Sequence, residues 1–188
     1  GGLYKAFVEA ALRYGPSRVI LEDTVTGSLT YKRMLIGARA LGRRIMGMTR
    51  TGEAVGVLLP NANGVVVTFL ALQSAKRLAA MLNYSAGPSN VVSAINTAKV
   101  KTVLTSRAFI EKAELQNVAD AIEANGTRLV WLEDVRETVT LPEKLSAALQ
   151  WKRPLVPVDA EDPAVILFTS GSEGTPKGVV LSHRNIHA

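Results

Sequence analysis

The chain has 188 residues, 47% of them hydrophobic and 20% charged, with a formal net charge of +6. That composition excludes a disordered chain, and the length suffices for one domain with a real core or two small lobes sharing one. The absence of cysteine excludes disulfides and thiolate chemistry and favours a cytosolic setting. No apolar run reaches the roughly 20 residues that a membrane-spanning helix requires. The chain opens Gly1-Gly2-Leu3-Tyr4-Lys5, without a starting Met or a signal-peptide pattern, which reads as a cut from a longer chain. Residues 1–50 carry nine Lys/Arg against three acids and so hold the whole positive excess. Such a surface attracts nucleic acid, anionic lipid or an acidic protein, and charge alone does not choose among them.

In chain order, residues 3–14 place apolar side chains at helical spacing, and Gly15-Pro16 stops the run. Residues 19–21 and Leu29 fit short strands. Thr30 can cap a helix from Tyr31 to about Met48. On that helix Met34, Ala38, Leu41, Ile45 and Met48 share one face, while Lys32, Arg39 and Arg43 line the opposite side with Arg33 and Arg44 beside them. The basic stripe reads as a solvated face; the alternative is a surface that steers an acidic carrier protein or anionic phospholipid. Residues 54–59 form an apolar strand, 61–75 a helix, 78–82 a strand, and Pro88 opens a further helix. Residues 100–104 and 128–132 read as strands with a mostly helical stretch, 109–124, between them. Pro142 opens a helix ending near Gln150, and residues 151–163, with three prolines and several acids, read as a linker. Strands that are apolar throughout and alternate with helices predict an α/β fold, a mostly parallel sheet covered on both faces.

After the linker, Ala164-Val165-Ile166-Leu167-Phe168-Thr169 reads as a buried strand, and Val179-Val180-Leu181 as a second one. Between them lies Ser170-Gly171-Ser172-Glu173-Gly174-Thr175-Pro176-Lys177-Gly178. Gly171, Gly174 and Gly178 permit positive φ and close approach of the backbone to a ligand. Free N–H groups in such a turn form an anion nest. Thr169, Ser170, Ser172 and Thr175 add hydroxyls, and Lys177 a point charge. This is the chemistry a triphosphate requires, although a Gly/Ser-rich hairpin joining two strands satisfies the composition as well. It is neither a Walker A loop, since Pro176 precedes Lys177 and Gly178 follows it, nor a dinucleotide fingerprint. His183 fits the first turn after a Ser182 cap better than a substrate contact. Asp159, Glu161 and Asp162 read as a solvated turn; no metal site and no catalytic triad is predicted.

The string Phe168-Thr169-Ser170-Gly171-Ser172-Glu173-Gly174-Thr175-Pro176-Lys177-Gly178-Val179 resembles the phosphate-loop signature of the adenylate-forming superfamily, which contains acyl-CoA synthetases, luciferases and peptide synthetase adenylation domains. Leu181-Ser182-His183-Arg184-Asn185 continues the resemblance. Met81-Leu82-Asn83-Tyr84-Ser85-Ala86-Gly87, together with Ser172-Glu173-Gly174, is similar to the synthetase part of the bacterial 2-acylglycerophosphoethanolamine acyltransferase/acyl-ACP synthetases. Glu173 departs from the wider superfamily, which usually has Thr or Ser there.

The resemblance implies the N-terminal portion of the adenylate-forming fold, with residues 1–155 as an α/β subdomain and 156–188 as the start of the next segment, carrying the loop. It implies an ATP- and Mg²⁺-dependent ligase that adenylates a fatty acid and passes the acyl group to a thiol of acyl carrier protein, in the service of lysophospholipid reacylation. Thr169, Ser170, Gly171, Ser172, Gly174, Thr175 and Lys177 would hold the β- and γ-phosphates. No catalytic residue is expected before Ala188, so this stretch alone is expected to be inactive. The parent would be cytoplasmic, on the inner face of the bacterial membrane, and would not bind nucleic acid. The alternatives are a fatty acyl-CoA ligase and a non-catalytic nucleotide-binding module.

Overall fold

The computed structural model describes residues 2–23, 27–170 and 176–187. Helix α1 (Leu3–Tyr14) buries Leu3, Tyr4, Val8 and Ala11 along one stripe and ends at Gly15, whose φ of 108° no side-chain-bearing residue adopts easily. Strands β1 (Val19–Asp23) and β2 (Gly27–Thr30) form a separate antiparallel hairpin. Thr30 caps α2 (Tyr31–Met46) by accepting the Arg33 N–H at 3.1 Å. The chain then runs through β3 (Ala54–Leu58), α3 (Asn63–Ser74), β4 (Leu78–Met81), a single 3₁₀ turn (Tyr84–Ala86), α4 (Pro88–Thr97) and β5 (Thr102–Thr105). Next come α5 (Arg107–Lys112), α6 (Gln116–Ala124), β6 (Arg128–Trp131), α7 (Leu132–Thr138) and α8 (Leu141–Leu149). After an irregular stretch follow β7 (Pro163–Ser170), β8 (Pro176–Ser182) and the short α9 (His183–His187).

Six strands form one sheet in the order β6-β5-β3-β4-β7-β8, parallel except for the β7–β8 pair, so the predicted mostly parallel α/β sheet is what the chain builds. The apolar runs are long because both faces are covered. Successive residues of one strand feed two different cores. Val55 and Val57 of β3, Ala79 of β4, Leu104 of β5 and Val165 of β7 join Tyr4, Met34, Leu35 and Leu70 beneath α1, α2 and α3. Leu58, Ala80, Val103 and Ile166 join Val91, Ile95, Ile110 and Ile122 beneath α4, α5 and α6. Helices α2 and α3 cross closely at Gly42, where a Cβ would come within 2.9 Å of the Ala71 carbonyl oxygen.

The mostly helical stretch 109–124 is divided between α5 and α6 by a left-handed turn at Glu114 (φ 55°). The structure corrects three details. Leu132 does not extend β6 but opens α7. The stretch after α8 carries no regular element yet is well packed: Trp151 is buried, and the Leu155 and Val156 N–H groups bond Ser74 Oγ and Ser74 O at 2.9 and 2.8 Å. Arg39 is not on a solvated stripe. It is 8% exposed, and its guanidinium donates to the Arg153 carbonyl and, at 2.9 Å, to Gln150 Oε1. Burial pulls its pKa down from the usual arginine range. Its charge therefore anchors the segment after α8 instead of facing a partner.

Candidate functional site

In an open parallel sheet, ligands gather where neighbouring strands send the chain in opposite directions from their carboxyl ends. One such crevice opens between β4 and β7. From β4 the chain passes over β3 to reach β5; from β7 it turns the other way into β8. The cleft there has a volume of about 380 Å³ and is lined by Asn83, Asn90 and Val91 on one side and by Phe168, Thr169 and Pro176 on the other.

The β7–β8 hairpin supplies the working wall. Its register sets Thr169 opposite Lys177, Ser170 opposite Pro176 and Phe168 opposite Gly178. The two described ends of the predicted phosphate loop, Thr169 and Lys177, are therefore brought together at the mouth of the crevice, and both are exposed. Gly171, Ser172, Gly174 and Thr175 lie outside the described residues, as does Glu173. Gly178 is not among the glycines with positive φ; its missing side chain serves packing, since a Cβ would lie 3.1 Å from Ile166 Cγ2. The strand expected to be buried is so only in its first half: Ala164, Val165 and Ile166 are enclosed, while Leu167 and Thr169 emerge.

Asn83 and Asn90 were not singled out by residue type, because amides in a turn are common. What marks Asn83 is its place just past the carboxyl end of β4. Its Oδ1 accepts the Ser85 N–H at 3.1 Å and the Ser85 hydroxyl at 2.7 Å, which leaves its NH₂ as the free donor. Asn90 Nδ2 donates to the Ala86 carbonyl at 3.0 Å, so both amides are held by the same turn. Tyr84 stacks edge-on against Phe109, with centroids 5.1 Å apart, and braces that turn from below.

The groups behind the hairpin are structural. His183 is buried, and its Nδ1 accepts the Leu3 N–H at 2.9 Å, tying α9 to α1. Burial lowers its pKa below the ordinary imidazole value, against the opposing pull of Asp162. This agrees with the first-turn role expected of it. Asp162 accepts the Asp159 N–H at 2.8 Å, which holds its carboxyl below the usual range, helped by Lys76 at 3.6 Å. Glu161 pairs with Arg184 at 2.8 Å on the surface. Among the described residues no group of three His, Asp or Glu is placed to hold a metal ion.

Residues 7–188 match the family described as AMP-binding enzyme. The acetyl-coenzyme A synthetase of Dictyostelium discoideum is 27% identical over 174 residues, which cover 85% of this chain and 26% of that protein. The 4-coumarate--CoA ligase-like 3 of Oryza sativa subsp. japonica is 30% identical over 183 residues, 92% of this chain and 31% of that protein. The fold is shared with VinN in complex with 3-methylaspartate (TM-score 0.76, 23% identity, 97% of this chain and 48% of that one). It is shared too with the Klebsiella oxytoca NpsA N-terminal subdomain in complex with 3-hydroxybenzoyl-AMSN (TM-score 0.76, 20% identity, 97% and 41%). The chain thus spans about a third or less of the curated relatives it matches.

Proposed function

The chain belongs to the family of AMP-binding enzymes, and from that premise we propose that it is the front part of an ATP-dependent acid ligase. In that reaction a carboxylate oxygen attacks the α-phosphorus of ATP. The new P–O bond gives an acyl-adenylate, and the α–β bridging oxygen leaves with pyrophosphate. A thiol sulfur then attacks the acyl carbon, and AMP departs. The observation that carries the proposal is the hairpin that sets Thr169 across from Lys177 at the β4–β7 crevice. A hydroxyl, an ammonium and the Asn83 amide there offer donors to phosphate oxygens whose negative charge grows as pyrophosphate leaves. These groups suit phosphate rather than a bare dication, so Mg²⁺ is proposed to arrive bound to the ATP and to share in neutralising it. Gly171, Ser172, Gly174 and Thr175, which lie outside the described residues, complete the proposed cradle with Ser170 by their sequence. Residues 156–188 are proposed to begin a segment distinct from 1–155, whose remaining walls come from elsewhere in the parent.

The proposed acid is a fatty acid and the proposed acceptor the thiol of acyl carrier protein, with the acyl group passing on to a lysophospholipid. Residues 81–87 and Glu173 support that reading by their likeness to the acyl-ACP synthetases. The CoA ligases among the relatives support a second reading, in which CoA is the acceptor. Acid-dependent pyrophosphate release by the full-length parent, with purified carrier protein and CoA in separate reactions, tests both. Release without thioester on carrier protein overturns the first reading, and no release with any fatty acid overturns the choice of acid.

A further inference from the structure

Helix α8 is amphipathic the wrong way round. Its buried residue is Ala147, while Leu141, Leu145 and Leu149 are 69%, 56% and 84% exposed. Spacing of i, i+4, i+8 sets the three leucines within one narrow arc, a ridge about 12 Å long that faces away from the sheet. The ridge is held firmly. Thr140 and Glu143 form a reciprocal capping box at its start. Glu143 also pairs with Arg44 of α2 at 3.4 Å, and the Arg44 guanidinium donates to the Thr138 carbonyl. Past its end, Arg39 grips Gln150 and Arg153 from beneath. Exposed cations lie on and near α8: Lys144 on the helix itself, Lys152 (its ammonium 5.6 Å from the Trp151 ring centroid) and Arg153 just after it, and Arg43 of α2, whose charge is felt at Glu143. The acid on this part of α8 is Glu143, already engaged by Arg44; the exposed Glu137 lies on α7.

We propose that the outward ridge of α8, Leu141, Leu145 and Leu149 with the nearby cations Lys144, Lys152 and Arg153, docks onto an anionic phospholipid bilayer. Aliphatic side chains entering the acyl boundary while lysines reach back to lipid phosphates is the two-signal mode of peripheral membrane binding. The ridge is convex and contains no aromatic residue, whereas protein interfaces draw their affinity from aromatic and Arg anchors seated in pockets. Among the described residues no helix is long and apolar enough to cross a membrane, so the contact is peripheral. The inference deepens the lipid side of the proposed function. Its test reads binding without turnover, so a failure of the acyl-transfer reading and a failure of this one are separate results.

The test is co-sedimentation of the full-length parent with vesicles of phosphatidylcholine alone or mixed with phosphatidylglycerol. The expected result is binding to the anionic vesicles only, fading as salt rises from about 0.1 M to about 1 M and the screening length shrinks from about 10 Å to about 3 Å. Leu145→Gln/Leu149→Gln should lower the partition coefficient at least about tenfold, in line with removing most of two exposed leucines from the apolar contact. Lys144→Glu/Lys152→Glu, which leaves the leucines in place, should lower it too and abolish the salt dependence. Both pairs are exposed, and an unchanged thermal unfolding curve checks that each variant folds; should the leucine pair fail that check, the lysine pair decides. Absence of binding to either vesicle, or equal binding by wild type and both variants, overturns the proposal. So does a leucine variant that turns a lipid-free dimer into a monomer, since the ridge would then face a second copy of the chain.

Discussion

An inner strand and an edge strand of the sheet are built to different standards. At β5 all four residues are enclosed, and even Thr105 is satisfied, its hydroxyl donating to the Leu58 carbonyl at 2.7 Å. At β8 the outer strand leaves Val179 and Val180 43% and 55% exposed. A strand covered on both faces contributes stability and tolerates nothing else in its place. A strand with an open face and a polar loop at its tip is free to meet a ligand or another part of a longer protein. Stability and chemistry should therefore respond to substitutions in different halves of the same sheet.

The largest expected effect is on the closed side. Leu104→Ala should destabilise the chain by about 2–5 kcal/mol, read by urea unfolding, because the cavity it leaves lies between tightly packed neighbours. A loss under about 1 kcal/mol would mean that β5 is less closed than it looks. On the open side Lys177→Ala should barely move the unfolding midpoint. In the full-length parent it should cut kcat/KM for ATP by about 10- to 100-fold, the loss of one charge-assisted bond of about 1.5–3 kcal/mol. Unchanged ATP kinetics would remove Lys177 from the site and leave the hairpin a joint between strands.

Smaller effects sharpen the same contrast. Gly42→Ala raises intrinsic helix propensity by about 1 kcal/mol, yet it should destabilise, because the added methyl meets the Ala71 backbone. A more stable Gly42→Ala chain would show that α2 can move off α3. Tyr4→Phe should cost about 1–2 kcal/mol: the Tyr4 hydroxyl donates to the Trp151 carbonyl at 2.6 Å, with the Leu35 carbonyl at 3.1 Å, and burial raises its pKa far above the usual phenol range. The smallest effect is with pH. Burial lowers the folded pKa of His183 from 6.5, so the folded state binds fewer protons than the unfolded one in the window just below that value. Its contribution to stability is full above pH 6.5 and is lost as pH falls through the folded pKa. Thermal melts at descending pH should show the decline, and His183→Gln should flatten it.

The sheet was legible because a strand buried on both faces is apolar at every position, as residues 54–59 are. The phosphate-binding wall was legible as a loop flanked by strands, and the pairing of Thr169 with Lys177 follows once those strands are antiparallel. The partners of Arg39 were not legible: a helical wheel reports sides of a helix, and a cation opposite the main core stripe looks solvated until a later segment folds over it. The crevice residues Asn83 and Asn90 depend on which way the chain leaves β4, a fact of topology rather than of local composition. The turn at Glu114, inside a stretch read as mostly helical, has no glycine to mark its place.

Helices α3, α4 and α5 all end in the same reverse turn, with Lys76, Lys99 and Glu114 in the left-handed conformation at φ 55–57°. The turn's outer bonds are present each time, from the N–H of Arg77 to the Leu72 carbonyl, of Val100 to Ile95 and of Leu115 to Ile110, at 2.8, 2.9 and 2.9 Å. The fourth such end, after α6, places Gly126 there. A side chain in that conformation costs roughly 1–2 kcal/mol that a glycine largely avoids, offset in part by the greater freedom a glycine gives the unfolded chain. Stability thus lies unclaimed at the two exposed turns, those of Lys99 and Glu114, whereas Lys76 is half-buried and pairs with Asp162. A protein engineer seeking a hardier version of this scaffold would start by replacing Lys99 and Glu114 with glycine, leaving every core contact untouched.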